Sequence, residues 1–320
     1  MTVNEYLAEW LQLQRVHLQP TTWNSYRQTI DCYLAPALGA TPLDAVEPRQ
    51  LERLYSELLA HGGRGGRPLA LRSIRYVHAV LHKALADAVR TGLLQANISD
   101  RARLPRHDPR AATIDGTVHA WTADQARRFL ELSRQDHHGE LWAVALGTGM
   151  RRGELLGLRH QDVDLTSGTV RVATALTLVD GRPQLKGTKT SRIRHLHLDP
   201  HTAAALTRET TAQQSERRRA GDEWRNDLDL VFTDAVGTPL IPQRITHRFR
   251  RLVRRLPVPT IRLHDVRHTH ATLLLQAGVS IKVVSERLGH ATIALTMDTY
   301  AHVLPAMDRD AAERFGALLD

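Results

Sequence analysis

Three short stretches carry the side chains from which phosphoryl-transfer chemistry can be built. The first is Thr148-Gly149-Met150-Arg151-Arg152-Gly153-Glu154-Leu155-Leu156-Gly157-Leu158. It sets Arg151 after a glycine at the head of a helix, with Glu154 three residues on, a spacing that suits a held guanidinium. Taken alone, the same spacing describes an ordinary surface ion pair. The second is Leu263-His264-Asp265-Val266-Arg267-His268-Thr269-His270. On a helix, His264 and Arg267 fall at i and i+3, so an imidazole and a guanidinium stand side by side facing one anionic oxygen. His264 and His268 also have the i, i+4 spacing of zinc ligands, but the glutamate of the metalloprotease pattern is absent and Asp265 points elsewhere on the helix. The third runs from Leu288-Gly289-His290 to Asp298-Thr299-Tyr300. Gly289 ends one helix, His290 opens the next and Tyr300 lies near its end. A lone tyrosine reads as packing.

Together the stretches mean more than each does separately. The transition state at a phosphodiester is a crowded dianion that paired guanidinia can neutralise without a metal. A phenol becomes a covalent nucleophile once a base takes its proton. An ammonium with a tunable pKa can protonate the departing oxygen. The chain has few ammonium groups to offer. Of its 43 basic residues 39 are Arg, and the four lysines are Lys83, Lys186, Lys189 and Lys282.

The 320 residues carry 34 acids and a net charge of +9, and the excess is clustered. Residues 61–110 and 242–270 each carry a net +7, and Lys186 to Arg194 adds four positive charges and no acid, whereas residues 1–60 are net negative. Three separated basic islands suit a surface that tracks phosphates. Within them, Arg72, Arg75, Lys83, Arg244, Arg248 and Arg251 are the expected DNA contacts. The sequence has no apolar run long enough to span a bilayer and no secretion signal. Its only cysteine, Cys32, excludes internal disulfides and a cysteine zinc cluster. A reduced, soluble, intracellular protein is expected.

These groups need elements to hold them. Apolar spacing predicts helices around Tyr6–Leu13, after a Thr21-Thr22 cap, over Asp44–Leu59 and over Leu71–Thr91, forming a small helical domain over residues 1–98 with one basic side. Residues 99–118 mix Pro, Arg, Asp and Gly without periodicity and read as a linker. From 119 to 320 the pattern is mainly helical, with a capping box at Thr122 and Gln125. Thr169–Leu178 and Arg192–Leu198 alternate like two strands of a hairpin with a long basic tip. On helical spacing Leu263, Val266, Leu273, Leu274 and Ala277 form the expected buried stripe of the His264 helix.

The three stretches resemble, in order, the first-arginine box, the His-x-x-Arg box and the His-to-nucleophile box of the tyrosine recombinase (phage integrase) family, and the resemblance covers nearly the whole chain. It implies a mainly α fold with a small antiparallel β-sheet: an N-terminal helical SAM-like core-binding domain plus an α+β catalytic domain, closing as a C-shaped clamp on duplex DNA. It implies that Arg151 and Arg267 bind the scissile phosphate, His264 assists proton transfer, His290 hydrogen-bonds the phosphate and Tyr300 attacks it, leaving a 3′-phosphotyrosyl link. Glu154 would brace the site. The family's lysine sits on a turn between two strands. Counted back from Leu196-His197-Leu198, Lys189 matches it better than Lys186, although His197 stands where the family commonly has Pro. The resemblance further implies site-specific integration or excision of a mobile element, without metal, ATP or other cofactor. The expected partners are double-stranded DNA recombination sites, three further copies in a tetramer on synapsed DNA and an excision or DNA-bending accessory protein, with no membrane. The expected setting is a prokaryotic cytoplasm, on the nucleoid when DNA is bound. Many such integrases carry an extra arm-binding domain, whereas here Met1 opens almost directly on the core-binding helices.

Overall fold

The computed structural model describes residues 1–108, 119–179, 181–187, 193–300 and 315–316. The chain forms two compact units, Met1–Gly116 and Thr117–Asp320.

The first unit is helical: α1 (Val3–Leu13), α2 (Pro20–Thr29), a π-turn at Ile30–Leu34 running into α3 (Ala35–Leu38), α4 (Pro48–His61) and α5 (Leu71–Arg90). Thr2 and Glu5 cap α1 reciprocally. Proline lies in the first turn of three other helices, α2, α3 and α4, where its missing N–H costs nothing. α2 begins at Pro20 itself, one residue before the expected Thr cap, and the expected Asp44–Leu59 helix is cut by Glu47 and Pro48 into a short turn and α4. Val77, Leu81 and Leu85 of α5 bury against Leu7, Trp10, Leu51 and Tyr55. The stretch after residue 98 starts packed on this unit. Ser99 is fully buried, Ala102 and Leu104 touch the core, and the Arg103 N–H donates to Glu52. Residues 109–118 lie outside the described residues.

The second unit begins with α6 (Ala123–Ser133), α7 (Gly139–Thr148) and α8 (Arg152–Leu156). Five strands follow: β1 (Val163–Asp164), β2 (Thr169–Val172), β3 (Thr174–Val179), β4 (Arg182–Gly187) and β5 (Arg194–His197). Then come α9 (Pro200–Ala220), α10 (Pro242–Val253), α11 (Leu263–Gln276), α12 (Ile281–Leu288) and α13 (Ile293–Tyr300). The core is Trp121, Phe129, Trp142 and Phe249 with the leucines of α8 and the inward residues of β2 and β5.

The sheet differs from the single hairpin expected. β1, β2 and β5 pair antiparallel, and β2 does meet β5, Val170 opposite Leu196. Between them, however, the chain leaves the sheet at Ala173 and forms a second two-stranded hairpin, β3 with β4, turning at Gly181, whose φ is +78°. Lys186 is therefore a strand residue opposite Ala175 rather than part of the tip, and Lys189 lies outside the described residues. What pulls β3 away is α8. A Cβ on Gly157 would lie 2.6 Å from the Leu176 nitrogen, so only glycine lets β3 press on α8, and the Thr174 hydroxyl donates to the Gly157 carbonyl at 2.8 Å. The helix carrying Glu154 is thereby locked from one side.

α11 is also more deeply set than expected. Besides Leu263 and Val266 it buries Asp265, Arg267, Thr269, His270, Ala271, Thr272 and Leu275, while Ala277 is exposed and Leu273 and Leu274 are half-buried. An apolar stripe alone underestimates a central helix, because its buried polar positions are hydrogen-bonded and carry no hydrophobic signal. Among the described residues no helix is long and apolar enough to cross a membrane.

Candidate active site

The site assembles around the C-terminal end of α12. A helix leaves its last carbonyls unpaired and slightly negative, a natural seat for cations. Gly289 ends α12 in the left-handed conformation, φ +64°. The carbonyls of Arg287, Leu288 and Gly289 each accept from a guanidinium: Arg194 Nε donates to the first at 2.8 Å, Arg267 Nη2 to the second at 2.6 Å, and Arg151 Nη2 to the third at 2.9 Å. Arg267 is buried, and its Nη1 donates to the Gly149 carbonyl at the end of α7, at 2.8 Å. Burial first, then the neighbouring Arg151 charge, pushes its pKa down to about 9, so it remains a cation at neutral pH. Arg151 stands at the head of α8 with its side chain 27% exposed, open enough to meet a ligand.

Glu154 is almost fully buried and is the one carboxylate among these charges. It accepts from the Arg151 backbone N–H at 2.8 Å, from Arg151 Nη1 at 2.9 Å, and from Arg194 Nη1 and Nη2 at 3.2 and 2.7 Å. Burial would raise its pKa, but the Arg194 and Arg151 bonds outweigh that and hold it below the ordinary carboxylate value. Among the described residues, neither Nε of Arg151 nor Nε of Arg267 makes a hydrogen bond, so each keeps donors for an anion.

Tyr300 closes the site from α13. Its ring is fully buried against Ala271, Leu275, Val284 and Leu288, and its hydroxyl lies 2.9 Å from His268 Nδ1. Burial raises the phenol to about 12 and lowers His268 to about 4, so at neutral pH a neutral imidazole faces a protonated phenol. His264 remains exposed, its ring edge-to-face with His268 at 5.1 Å. Partial desolvation and the Arg267 charge lower its pKa. His290 shares its Nδ1 with the Thr296 hydroxyl at 2.7 Å, which points its other ring edge away from α13; burial and the Arg267 and Arg151 charges hold it near 4. Arg151, Glu154, His264, Arg267, His290 and Tyr300 thus fall in one neighbourhood. Lys186 Nζ is buried with no hydrogen-bond partner among the described residues.

Two participants were missed by pattern. His268 suggested only a zinc spacing, and its contact with Tyr300 spans 32 positions of sequence. Arg194 appeared as one more charge on a basic strand, and its position three residues before His197 was the only available signal.

The expected DNA contacts separate. Arg72 and Arg75 are exposed on α5, but Lys83 lies 3.8 Å from Asp87. On α10, Arg244 and Arg251 are exposed, while Arg248 is paired with Asp136 at 3.0 Å. His247, Arg250, Arg251, Arg254 and Arg255 line one open depression without an acid, an anion surface of which only Arg251 was singled out from sequence.

A family model described as the phage integrase family matches residues 120–307, more than half of the chain, and a phage integrase N-terminal SAM-like domain model matches residues 2–59. The chain belongs to the phage integrase family. It is a site-specific tyrosine recombinase. Among its relatives, a tyrosine recombinase XerC-like protein of Caldanaerobacter subterraneus is 26% identical over 333 residues, covering 99% of this chain and 83% of the relative. The ICEBs1 integrase of Bacillus subtilis is 24% identical, over 98% of this chain and 82% of its own. The fold of the recombinase matches the Tn1549 transposon integrase in complex with a circular intermediate DNA, with TM-score 0.77 and 21% identity over 97% of this chain and 99% of that one. It also matches a lambda integrase tetramer bound to a Holliday junction, with TM-score 0.63 and 15% identity over 91% and 78%.

One buried and three half-buried imidazoles give the recombinase an acid-side weakness. His138, His268, His270 and His290 are each held near 4 in the folded chain, chiefly by burial, against 6.5 when free. Between those values the unfolded chain binds protons that the folded chain excludes, so stability is lost as pH falls through that window. The melting temperature should be level from pH 8 to 7 and decline steadily from about 6.5 towards 4. A level melting temperature down to pH 5 would contradict this.

Proposed function

We propose that Arg151 and Arg267 clamp the scissile phosphate of a DNA recombination site while Tyr300 attacks the phosphorus. The Tyr300 oxygen–phosphorus bond forms and the bond to the 5′ oxygen breaks, leaving a 3′-phosphotyrosyl link and a free 5′-hydroxyl. The phenol proton passes to the histidine side of the site, where His264 is open to solvent and to substrate. His290 hydrogen-bonds a non-bridging oxygen, and Lys189 protonates the departing 5′ oxygen. The observation that carries this reading is the convergence of both guanidinia on the carbonyls closing α12, with donors left over, beside the phenol of α13. Transesterification conserves the bond energy of the backbone, so rejoining needs no external energy source.

The reading takes duplex DNA as substrate, gripped by residues 1–98 through Arg72 and Arg75, with Lys83 secondary, and by residues 119–320 through Arg244, Arg251 and the α10 depression, with Arg248 held back by Asp136. Residues 99–118 would join the two. A tetramer of this chain on two synapsed sites, aided by an accessory protein for excision, and a prokaryotic cytoplasmic setting complete it.

The direct test is a nicked suicide duplex carrying the end of the element that encodes the chain, on which a stable protein–DNA adduct should accumulate. On the same duplex Lys189→Ala should slow adduct formation by ~10²–10⁴-fold, the range of general-acid catalysis. A 5′-bridging sulfur, a leaving group that needs no proton, should restore the rate. Rescue of Lys186→Ala instead would move the role to the strand lysine.

A further inference from the structure

We propose that Arg194 is the positioning residue that keeps Arg151 available to the phosphate, an inference that rests on the assignment of Arg151 just made. Arg194 opens β5 and is 9% exposed. All three of its nitrogens are engaged: Nε on the Arg287 carbonyl, Nη1 and Nη2 on Glu154. It lies flat against Gly289, where a Cβ would come within 3.0 Å of Nη1. It therefore has no open edge to offer a substrate, and its effect must pass through what it holds.

What it holds is Glu154. A carboxylate has about four lone-pair sites. Here all four are taken, two by Arg151 and two by the Arg194 fork. Arg151 is thus limited to a single side-chain bond to Glu154, with its Nη2 on the Gly289 carbonyl and a longer Nη1 contact to the Leu288 carbonyl. Without the Arg194 fork, Glu154 has two free lone pairs beside a guanidinium, and the preferred geometry of such a pair is a bidentate fork. Arg151 would turn into it and surrender the donors that face the phosphate.

The charge count agrees. Arg151, Arg194 and Arg267 against Glu154 leave two positive charges, matched to a dianionic transition state. Removing Arg194 leaves one. The three carbonyls at the end of α12 help fix the arrangement: Arg194 is tied to Arg287, Arg267 to Leu288, and Arg151 to Gly289 with a longer contact to Leu288.

The test compares Arg194→Met and Arg194→Lys with the parent on the suicide duplex, once with a phosphodiester and once with a neutral methylphosphonate at the scissile position. On the phosphodiester Arg194→Met should form adduct ~10²-fold more slowly, the cost of a misplaced catalytic group, with DNA affinity retained. On the methylphosphonate, which carries one charge fewer to neutralise, the deficit should shrink by at least ~tenfold. Arg194→Lys, keeping the charge without the fork, should fall between. In a Glu154→Gln background, which removes the competing carboxylate charge, Arg194→Met should cost much less than it does alone. That pair also guards against simple loss of folding, because both members of the buried ion pair are then neutral. A parental adduct rate for Arg194→Met, or an equal deficit on both substrates and in both backgrounds, overturns the proposal. Tyr300→Phe run alongside reads the underlying assignment separately: an adduct that survives it removes the nucleophile reading, whatever Arg194 does.

Discussion

Tyr300→Phe is expected to abolish the covalent protein–DNA adduct while leaving DNA affinity close to that of the parent. The ring packs against Ala271, Leu275, Val284 and Leu288, and phenylalanine keeps all of that apolar contact. The hydroxyl lies 2.9 Å from His268 Nδ1, and a lost buried hydrogen bond of this kind costs about 1 kcal/mol. The fold should therefore survive. The chemistry should not, because phenylalanine has no oxygen to place on phosphorus and, among the described residues, the nearest hydroxyls of α13 are already engaged. The hydroxyls of Thr296 and Thr299 are committed to His290 and to the Leu295 carbonyl. The raised phenol pKa, about 12, sharpens the point: at neutral pH the proposed nucleophile is a protonated, fully buried group that would have to leave its pocket and lose its proton on meeting DNA. Adduct trapping and a gel-shift titration on one suicide duplex read the two halves. An adduct formed by the phenylalanine variant would move the nucleophile elsewhere; a large loss of affinity would mean that Tyr300 holds DNA rather than cleaving it.

The site residues were legible where chemistry and local spacing coincide. Arg151 and Glu154 share one turn, His264 and Arg267 another, and the glycines that punctuate the first and third stretches are visible as helix ends. Gly157 and Gly289 show why such punctuation was informative, since each admits a backbone or a guanidinium where a Cβ would collide. What sequence concealed depends on contacts between distant segments. Arg194 has partners at 154 and 287, and His268 has its partner at 300. Nothing in an alternating strand distinguishes an arginine whose fork closes on a buried carboxylate from one in solvent. The same limit explains the sheet. Alternation made partners of Thr169–Leu178 and Arg192–Leu198, of which Thr169–Val172 and Arg194–His197 do pair, but the break at Ala173 comes from α8 pressing through Gly157, which no period-two pattern encodes. The depth of α11 was hidden for a related reason: an arginine at 267 reads as surface until the carbonyls of Gly149 and Leu288 are brought to it.

That depth separates by experiment the two arginines proposed to bind the phosphate. Arg267→Lys should lower the adduct rate by ~10²–10³-fold, the cost of removing one preorganised donor from a transition-state site. It should also destabilise the fold, whereas Arg151→Lys should lose a comparable factor in rate with a much smaller fall in melting temperature. Arg267 is 4% exposed and its two Nη atoms bridge carbonyls from α7 and α12, so it ties three helices together. A lysine carries one nitrogen, cannot span both carbonyls, and leaves at least one buried acceptor unpaired at about 1–3 kcal/mol. Burial already pulls the guanidinium down to about 9, and an ammonium in the same place, starting from a lower intrinsic pKa, would be drawn towards neutrality and lose the charge that the phosphate needs. Arg151 also reaches the Leu288 and Gly289 carbonyls besides Glu154, but 27% of its side chain is open, so solvent can satisfy what a lysine leaves. Paired measurements of adduct rate and thermal unfolding on the two variants decide it. Equal melting temperatures would contradict the structural role of Arg267, and a parental rate for Arg267→Lys would remove it from the phosphate clamp.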